Sequence, residues 1–200
     1  MKIKIVILLC AIAVNAAAQT DKETKTVFGN GKLHLGYFLS PSCHVGNIAG
    51  STAVLPGLGA GIIFNEKISL GLTYKFIISE NTPAGETNDM LYLDQQYAGI
   101  KGEYSFIPDK VVHPNIQHEA GVGHTELDLK DAYETGDVPQ GDASFAYFEP
   151  GAALEINLWK YLKLDVGVGY RFIGDVAVNN LSGTDFAGIS YSAALKIGLF

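Results

Sequence analysis

The stretch LKLDVGVGYRFIG, residues 162–174, decides the fold class because its residues alternate between two unlike faces. Apolar side chains occupy every second position from Leu162 to Phe172, and the positions between them hold charged residues or glycine. Period-two alternation is the pattern of a β-strand with one apolar and one polar face. In a soluble fold the apolar face is the core, whereas in a membrane barrel it meets lipid and the charges line a closed interior.

The start of the chain has the features of an export signal. MKIK is followed by the apolar run IVILLCAIAV and by small residues ahead of Gln19. This pattern predicts a signal peptide over residues 1–18, a short periplasmic tail over 19–31 and the barrel over 32–200. The apolar run is shorter than the roughly 20 residues that a transmembrane helix needs.

Composition narrows the function classes. The formal net charge is −7, and loss of Lys2 and Lys4 with the signal peptide makes it two units more negative. An acidic chain without a basic stripe argues against nucleic acid as a partner. Cys43 would be the one cysteine left after cleavage, which excludes an internal disulfide and a cysteine metal cluster. No later segment reaches about 18 consecutive apolar residues, so any membrane crossing must use strands.

The pattern predicts eight strands whose connections alternate in length. The tight connections fall at 65–66, 108–110 and 159–160, and the long ones at 41–53, 80–90, 131–142 and 175–187. Such alternation is typical of a barrel with short periplasmic turns and longer extracellular loops. The predicted strands are 32–40, 54–64, 67–79, 91–107, 111–130, 143–158, 160–174 and 188–200.

Three features favour lipid outside the barrel. The polar face is rich in glycine, which weakens a solvated strand but suits a crowded interior. The strands reach the roughly 9–11 residues that a tilted crossing needs. The aromatic residues form two bands, as in interfacial girdles. The band toward the long loops is Tyr37, Phe76, Tyr170, Phe172 and Tyr191, and the band toward the tight turns is Phe64, Tyr104, Phe106, Trp159 and Phe200.

VGVGYRFIG (166–174), NNLSGTDFAG (179–188) and SAALKIGLF (192–200) resemble the small outer-membrane β-barrels of Gram-negative bacteria, of the OmpA/OmpX type. The resemblance implies an all-β, eight-stranded antiparallel up-and-down transmembrane barrel. It also implies outer-membrane lipid and lipopolysaccharide as surroundings, and the barrel-assembly machinery as a partner during insertion. Phe200 is similar to the terminal aromatic residue that this machinery recognises, although the apolar row ends one position earlier, at Leu199.

The alternation predicts that ten charged side chains point into the lumen. Five are cationic and five anionic, and an eight-stranded barrel is only wide enough for its side chains to fill. Buried charges must be paired, so we expect a salt-bridge network that closes the lumen of a protein with a structural or surface-interaction role. The alternative is a narrow gated pore in which Arg171 or Lys101 changes carboxylate partners. The ten are Lys75, Lys101, Glu103, Glu119, Glu149, Glu155, Lys163, Asp165, Arg171 and Lys196.

An enzyme is a weaker hypothesis. His124 and Glu126 share a face near the end of the fifth strand, where a lipid hydrolase or acyltransferase would place its base, but no serine lies at a suggestive spacing in the sequence. His118 falls on the lipid-facing row, and a bulge near Pro114 would turn it inward.

The alternative fold is a soluble lipocalin-like barrel that binds an apolar ligand.

The long loops are acidic but contain no calcium-loop spacing, so solvated loops are favoured over a metal site. The loops would be the binding site of any extracellular ligand, and their sequence does not identify one. His44 beside Cys43 supplies only two ligands and does not make a metal site. We therefore predict no cofactor and no metal. The loop acids in question are Glu80, Glu86, Asp89, Asp131, Glu134, Asp137, Asp142, Asp175 and Asp185.

Overall fold

The computed structural model describes residues 33–79, 82–83, 91–129, 141–178 and 181–200. The predicted signal peptide and the periplasmic tail lie outside these residues and stay predictions, as do the acids predicted for the loops at 80–90 and 131–140. The long strands are β1 (Leu35–Ile48), β2 (Ser51–Phe64), β3 (Ile68–Phe76), β4 (Leu91–Ser105), β5 (Val112–Leu129), β6 (Asp142–Trp159), β7 (Leu162–Ile173) and β10 (Gly188–Leu199). Two short strands, β8 (Ala177–Val178) and β9 (Leu181–Ser182), and one helical turn, α1 (Gly183–Phe186), lie between β7 and β10.

The eight long strands pair antiparallel and close into a barrel in the order β1-β10-β7-β6-β5-β4-β3-β2. Each strand pairs with its neighbours in sequence, and β1 with β10 closes the ring. The predicted all-β, eight-stranded up-and-down barrel is confirmed. No helix in the described part of the chain is long and apolar enough to cross a membrane.

The apolar rows of the strands face outward. Leu72 is 69% exposed, Val122 63% and Val166 50%, whereas Lys75 and Arg171 are each 2% exposed. This arrangement is the reverse of a soluble barrel, whose apolar rows form the core. The lipocalin-like alternative is therefore wrong, because the residues that would be its core lie on the outer surface.

The prediction of a long first loop over 41–53 is also wrong. Strands β1 and β2 continue until Ile48 pairs with Ser51, and the connection is the two-residue turn Ala49-Gly50. Both turn residues have positive φ (51° and 80°), as a type I′ hairpin turn requires. Pro41 resembled a loop residue, yet it sits in β1 where no pairing with β10 is recorded, a position that tolerates the missing N–H. Three long connections, not four, thus lie at one end of the barrel.

We call that end, which carries the long connections, the loop end and the opposite one the turn end. Because β1 runs from the turn end to Ile48, Tyr37 lies near the turn end, paired with Leu199 and Ile62. Its predicted place in the band toward the long loops is wrong, since that place assumed a strand ending at residue 40. Four of the band's members, Phe76, Tyr170, Phe172 and Tyr191, do lie toward the loop end.

Strand β5 contains no bulge near Pro114. Its ladder with β6 is continuous, with Pro114 opposite Leu154 and His118 opposite Pro150. His118 therefore stays on the outer face, and the suggestion that it turns inward is wrong. Its ring lies over Gly102, where a Cβ would come within 2.7 Å of the imidazole Nε2. The missing side chain at residue 102 thus makes room for the ring against the barrel wall.

Candidate functional site

The interior of the barrel holds two groups of charged side chains at different heights. All ten lumen residues named from the sequence project inward, and they come from six of the eight long strands. Their ion pairs divide into a loop-end cluster and a turn-end cluster, and no recorded ion pair among the described residues joins the two. The loop-end cluster is Lys75, Glu119, Glu149 and Arg171, and the turn-end cluster is Lys101, Glu103, Glu155, Lys163, Asp165 and Lys196.

The loop-end cluster joins strands that are not neighbours in the sheet. Lys75 Nζ on β3 lies 3.2 Å from Glu119 Oε1 on β5 and 3.2 Å from Glu149 Oε2 on β6. Arg171 Nε on β7 lies 3.2 Å from the same Glu149 oxygen. The Tyr147 hydroxyl donates a hydrogen bond to Glu119. Two cations and two carboxylates therefore balance within this cluster and hold opposite walls of the barrel together.

The turn-end cluster is built around Lys196 on β10. Its Nζ lies 2.7 Å from Glu103 Oε2, 2.6 Å from Glu155 Oε2 and 3.4 Å from Asp165 Oδ2. The other two lysines each pair with one carboxylate: Lys101 lies 2.8 Å from Glu103 and Lys163 lies 2.9 Å from Glu155. Three lysines thus face three carboxylates. Further polar groups complete the set, among them the Ser69 hydroxyl, the Asn115 amide and the His113 imidazole.

Little space is left around the two clusters. Cavities of about 30 Å³ and 10 Å³ lie there, and His44 and Lys101 line both of them. A cavity of this size holds about one water molecule. The described residues thus fill most of the barrel cross-section at the level of the charges.

His44 lies in β1, not in a loop. Its ring faces the lumen and Nδ1 has no hydrogen-bond partner, whereas Cys43 beside it is exposed on the outer face. The two residues therefore point to opposite sides of the wall. Among the described residues, no three His, Cys, Asp or Glu side chains converge in a way that could hold a metal ion.

An apolar cluster fills the lumen above the loop-end cluster, and sequence reasoning missed it. Tyr97 and Tyr147 form its floor, with ring centroids 5.3 Å apart and edge-to-face. Phe186, the last residue of α1, is 0% exposed and stacks on Phe145 with ring centroids 6.3 Å apart. Inward aromatic residues on β4 and β6 were the available signal, but the alternation was used only to place charges. The remaining members include Ile48, Ala53, Leu55, Ile77, Leu93, Leu127, Val176 and Val178.

The outer surface carries aromatic side chains at both ends of the aliphatic band. Tyr170 and Phe172 contact each other at the loop end (4.8 Å between centroids), and Tyr104 and Phe106 at the turn end (5.0 Å). Phe200 differs from its predicted role, because its ring lies 4.4 Å from Nζ of the inward-facing Lys163. It therefore lies at the lumen mouth and not on the lipid-facing surface. Phe64 lies on the outward-facing row of β2. Trp159 is 67% exposed, because a register shift after Asn157 places it opposite the outward-facing Leu162.

A second polar group lies outside the barrel, at the loop end of β5 and β6. His124 Nδ1 is 3.1 Å from Ser144 Oγ, and His124 Nε2 is 2.8 Å from Glu126 Oε1. The sequence pointed to His124 and Glu126 but to no serine. Ser144 was missed because it lies 20 residues away and comes next to His124 only through the β5–β6 register.

Comparison with solved structures supports the fold. Neisserial surface protein A (NspA) is 15% identical, with a TM-score of 0.58 over 84% of this chain and 99% of that one. The N-terminal β-barrel domain of Pseudomonas aeruginosa OprF is 11% identical, with a TM-score of 0.53 over 84% and 100%. The chain has the fold of the small outer-membrane barrels. No family model matches the sequence, and no curated protein is significantly similar to it.

Proposed function

We propose that the protein is an integral barrel of the outer membrane, with a structural or surface-interaction role and a lumen closed by its salt-bridge network. The observation that carries this proposal is the reversed polarity of the barrel, with apolar rows outside and charges inside. Exposed apolar strands are stable where lipid covers them, and a closed barrel leaves no unpaired edge in the bilayer. The signal peptide over residues 1–18 would direct the chain to export.

The two ion clusters support a closed lumen over a gated pore. Each has equal numbers of cations and carboxylates and joins strands across the barrel, so each adds a cross-brace as well as filling the interior. Moving Arg171 or Lys101 to open a path would leave its cluster with one more buried carboxylate than cations, which is strongly unfavourable. The apolar cluster above them adds a second barrier to ions.

At the loop end, the long connections would carry any surface interaction. The connection between β7 and β10 is anchored, because Phe186 is buried and the Ala49 N–H donates to the Asp185 carbonyl at 2.7 Å. An anchored loop presents a fixed surface to a partner, which lowers the entropy lost on binding. Outer-membrane lipid and lipopolysaccharide would surround the barrel, and the barrel-assembly machinery would insert it.

Fractionation and gel mobility test the location. The protein should appear in the outer-membrane fraction and should migrate differently in SDS before and after boiling, because a closed barrel resists SDS until heated. A soluble protein with unchanged mobility would contradict the membrane location.

Planar-bilayer recording tests the closed lumen. The refolded wild-type protein should show no conductance steps. Arg171→Ala removes a side chain that donates to the Tyr97 hydroxyl, so steps seen in this variant alone would show that Arg171 blocks the lumen. Discrete, ion-selective steps in the wild type, altered in Arg171→Ala, would establish the pore instead.

A further inference from the structure

The polar group on the outer face has the arrangement of a nucleophile, a base and an orienting acid. Ser144, His124 and Glu126, which we call the rim triad, are linked by contacts of 3.1 Å and 2.8 Å through the two nitrogens of one imidazole. A carboxylate only accepts hydrogen bonds, so Nε2 donates to Glu126. In the neutral ring Nδ1 then accepts from the Ser144 hydroxyl, as a general base for a serine nucleophile must. The two ring nitrogens exchange the roles that they have in the Ser-His-Asp triad.

The β-sheet holds this geometry in place. The Leu127 N–H on β5 donates a hydrogen bond to the Gly141 carbonyl at 3.0 Å, so these two facing residues form a hydrogen-bonded pair. By alternation His124 and Ser144 form a non-hydrogen-bonded pair, in which facing side chains lie closest. Glu126 follows two residues after His124 on the same face. The triad is thus fixed by two paired strands and not by a mobile loop.

A donor for a developing oxyanion lies on the other side of Ser144. The Ala146 carbonyl accepts the Gly174 N–H at 2.8 Å, so even-numbered residues in this part of β6 direct their backbone groups toward β7. The last pair between the two strands is Tyr147 with Ile173. The Ser144 N–H is therefore directed toward β7, past the last pair of the two strands.

The location suits an amphiphilic substrate. Ser144 and His124 share a row of the sheet with Gln96 and Phe76, a member of the loop-end aromatic band. The side chains of His124 and Glu126 are 39% and 35% exposed. An open groove of about 700 Å³ lies on the neighbouring strand β7 and the connection that follows it, lined by Tyr170, Phe172 and Gly174 among others. Phe76 in the triad's own row, and Tyr170 and Phe172 on β7, give the outer face an exposed apolar surface for an acyl chain.

We propose that the rim triad hydrolyses carboxylic esters of long-chain acyl lipids at the loop-end membrane surface, with Ser144 as nucleophile. Ser144 Oγ bonds to the ester carbonyl carbon while its proton passes to His124 Nδ1. The bond to the alcohol oxygen then breaks and His124 returns the proton to that oxygen. Water, deprotonated by His124, cleaves the acyl-serine and restores the hydroxyl, so the products are one fatty acid and one alcohol. Glu126 orients the ring and balances its positive charge.

Ester hydrolysis by the refolded full-length chain is the direct test. The probe is p-nitrophenyl laurate in mixed micelles, with protein-free micelles as the blank. Ser144→Ala and His124→Ala should each lower the rate at least about a hundredfold, within the range of general-base catalysis, and Glu126→Gln should lower kcat more than it changes KM. His118→Ala is the matched control, because His118 is an exposed outward histidine of the same strand. It should leave the rate unchanged.

A covalent readout separates catalysis from a structural role. A fluorophosphonate should label the folded wild type on Ser144, as located by peptide mass spectrometry, and should not label Ser144→Ala or His124→Ala of unchanged gel mobility. The acyl source is identified by fatty-acid release from phospholipid vesicles and, separately, from lipopolysaccharide aggregates. A wild-type rate equal to the blank, labelling that survives Ser144→Ala, or full activity in His124→Ala would each overturn the proposal.

Discussion

Removing Lys196 should destabilise the barrel more than removing any exposed lysine. The side chain is 4% exposed and its Nζ contacts three carboxylates, of Glu103, Glu155 and Asp165. In Lys196→Met the turn-end cluster keeps three carboxylates but only two lysines, so one buried negative charge is left uncompensated. Removing one partner of a buried ion pair is unfavourable by about 3–5 kcal/mol, and the three contacts place this site at the upper end of that range.

Urea unfolding of the refolded protein in lipid vesicles measures this loss. Trp159, the one tryptophan of the chain, is 67% exposed on the outer face and reports by fluorescence when the barrel leaves the lipid. Lys67→Met is the control, because Lys67 is exposed in a tight turn, and an exposed charge contributes about 0–1 kcal/mol.

A double-mutant cycle sharpens the test. Glu103→Gln added to Lys196→Met restores the charge balance of the turn-end cluster, so the double variant should be more stable than the sum of the single losses predicts. Glu119→Gln belongs to the other cluster and should add to Lys196→Met without coupling. A loss for Lys196→Met no larger than that for Lys67→Met, or equal coupling to Glu103 and Glu119, would refute the division into two neutral clusters.

Three further outcomes follow from the structure. Leu164→Arg, in the aliphatic band, should lower the free energy of unfolding in vesicles by about 2–4 kcal/mol. Gly121→Ala should abolish the heat-dependent gel shift or lower stability by at least about 1–3 kcal/mol, because its Cβ would lie 2.1 Å from a backbone oxygen, whereas Gly59→Ala, at 3.4 Å, should be tolerated. Hydrogen bonds from the backbone N–H and hydroxyl of Ser182 hold the pKa of Asp185 below its usual value of about 3.9. The stabilisation by Asp185 is therefore present above pH 4 and lost as the pH falls through the lowered pKa; Ser182→Ala should raise that pKa in an NMR titration.

The alternation of residues was enough to predict which side chains of a single strand face the lumen. The inward direction of Lys163, Asp165 and Arg171 follows from period two alone, since every second residue of β7 faces the lumen. Which carboxylate each cation meets depends on the heights of strands on opposite walls, as for Lys196 and Glu103, which are 93 residues apart. That relation is set by barrel closure and cannot be read from local pattern.

The predictions failed where residue types suggested a loop inside a strand, and where a site depends on which residues of two strands face each other. Pro41 opened the predicted loop, but β1 continues through it as far as Ile48, and the shorter predicted strand placed Tyr37 at the wrong end. Ser144 was missed because only the β5–β6 register brings it next to His124. The length of the connection between the two strands does not reveal that register. A cross-strand site of this kind needs the register before its chemistry can be recognised.

The interior changes from charged to apolar along the barrel axis, and this change has a physical reason. At the level of the bilayer the outer surface is already apolar, so the inside must be filled by groups that brace the wall through ion pairs and hydrogen bonds. Toward the loop end the outward row that holds Phe76 also carries polar residues such as Gln96 and His124, so the continuous apolar outer surface ends there. There the hydrophobic effect acts on the inside again, and residues such as Phe145 and Phe186 form a core. The loop end is thus held like a small soluble domain on top of a membrane barrel, which gives the rim triad and the anchored connection a rigid base.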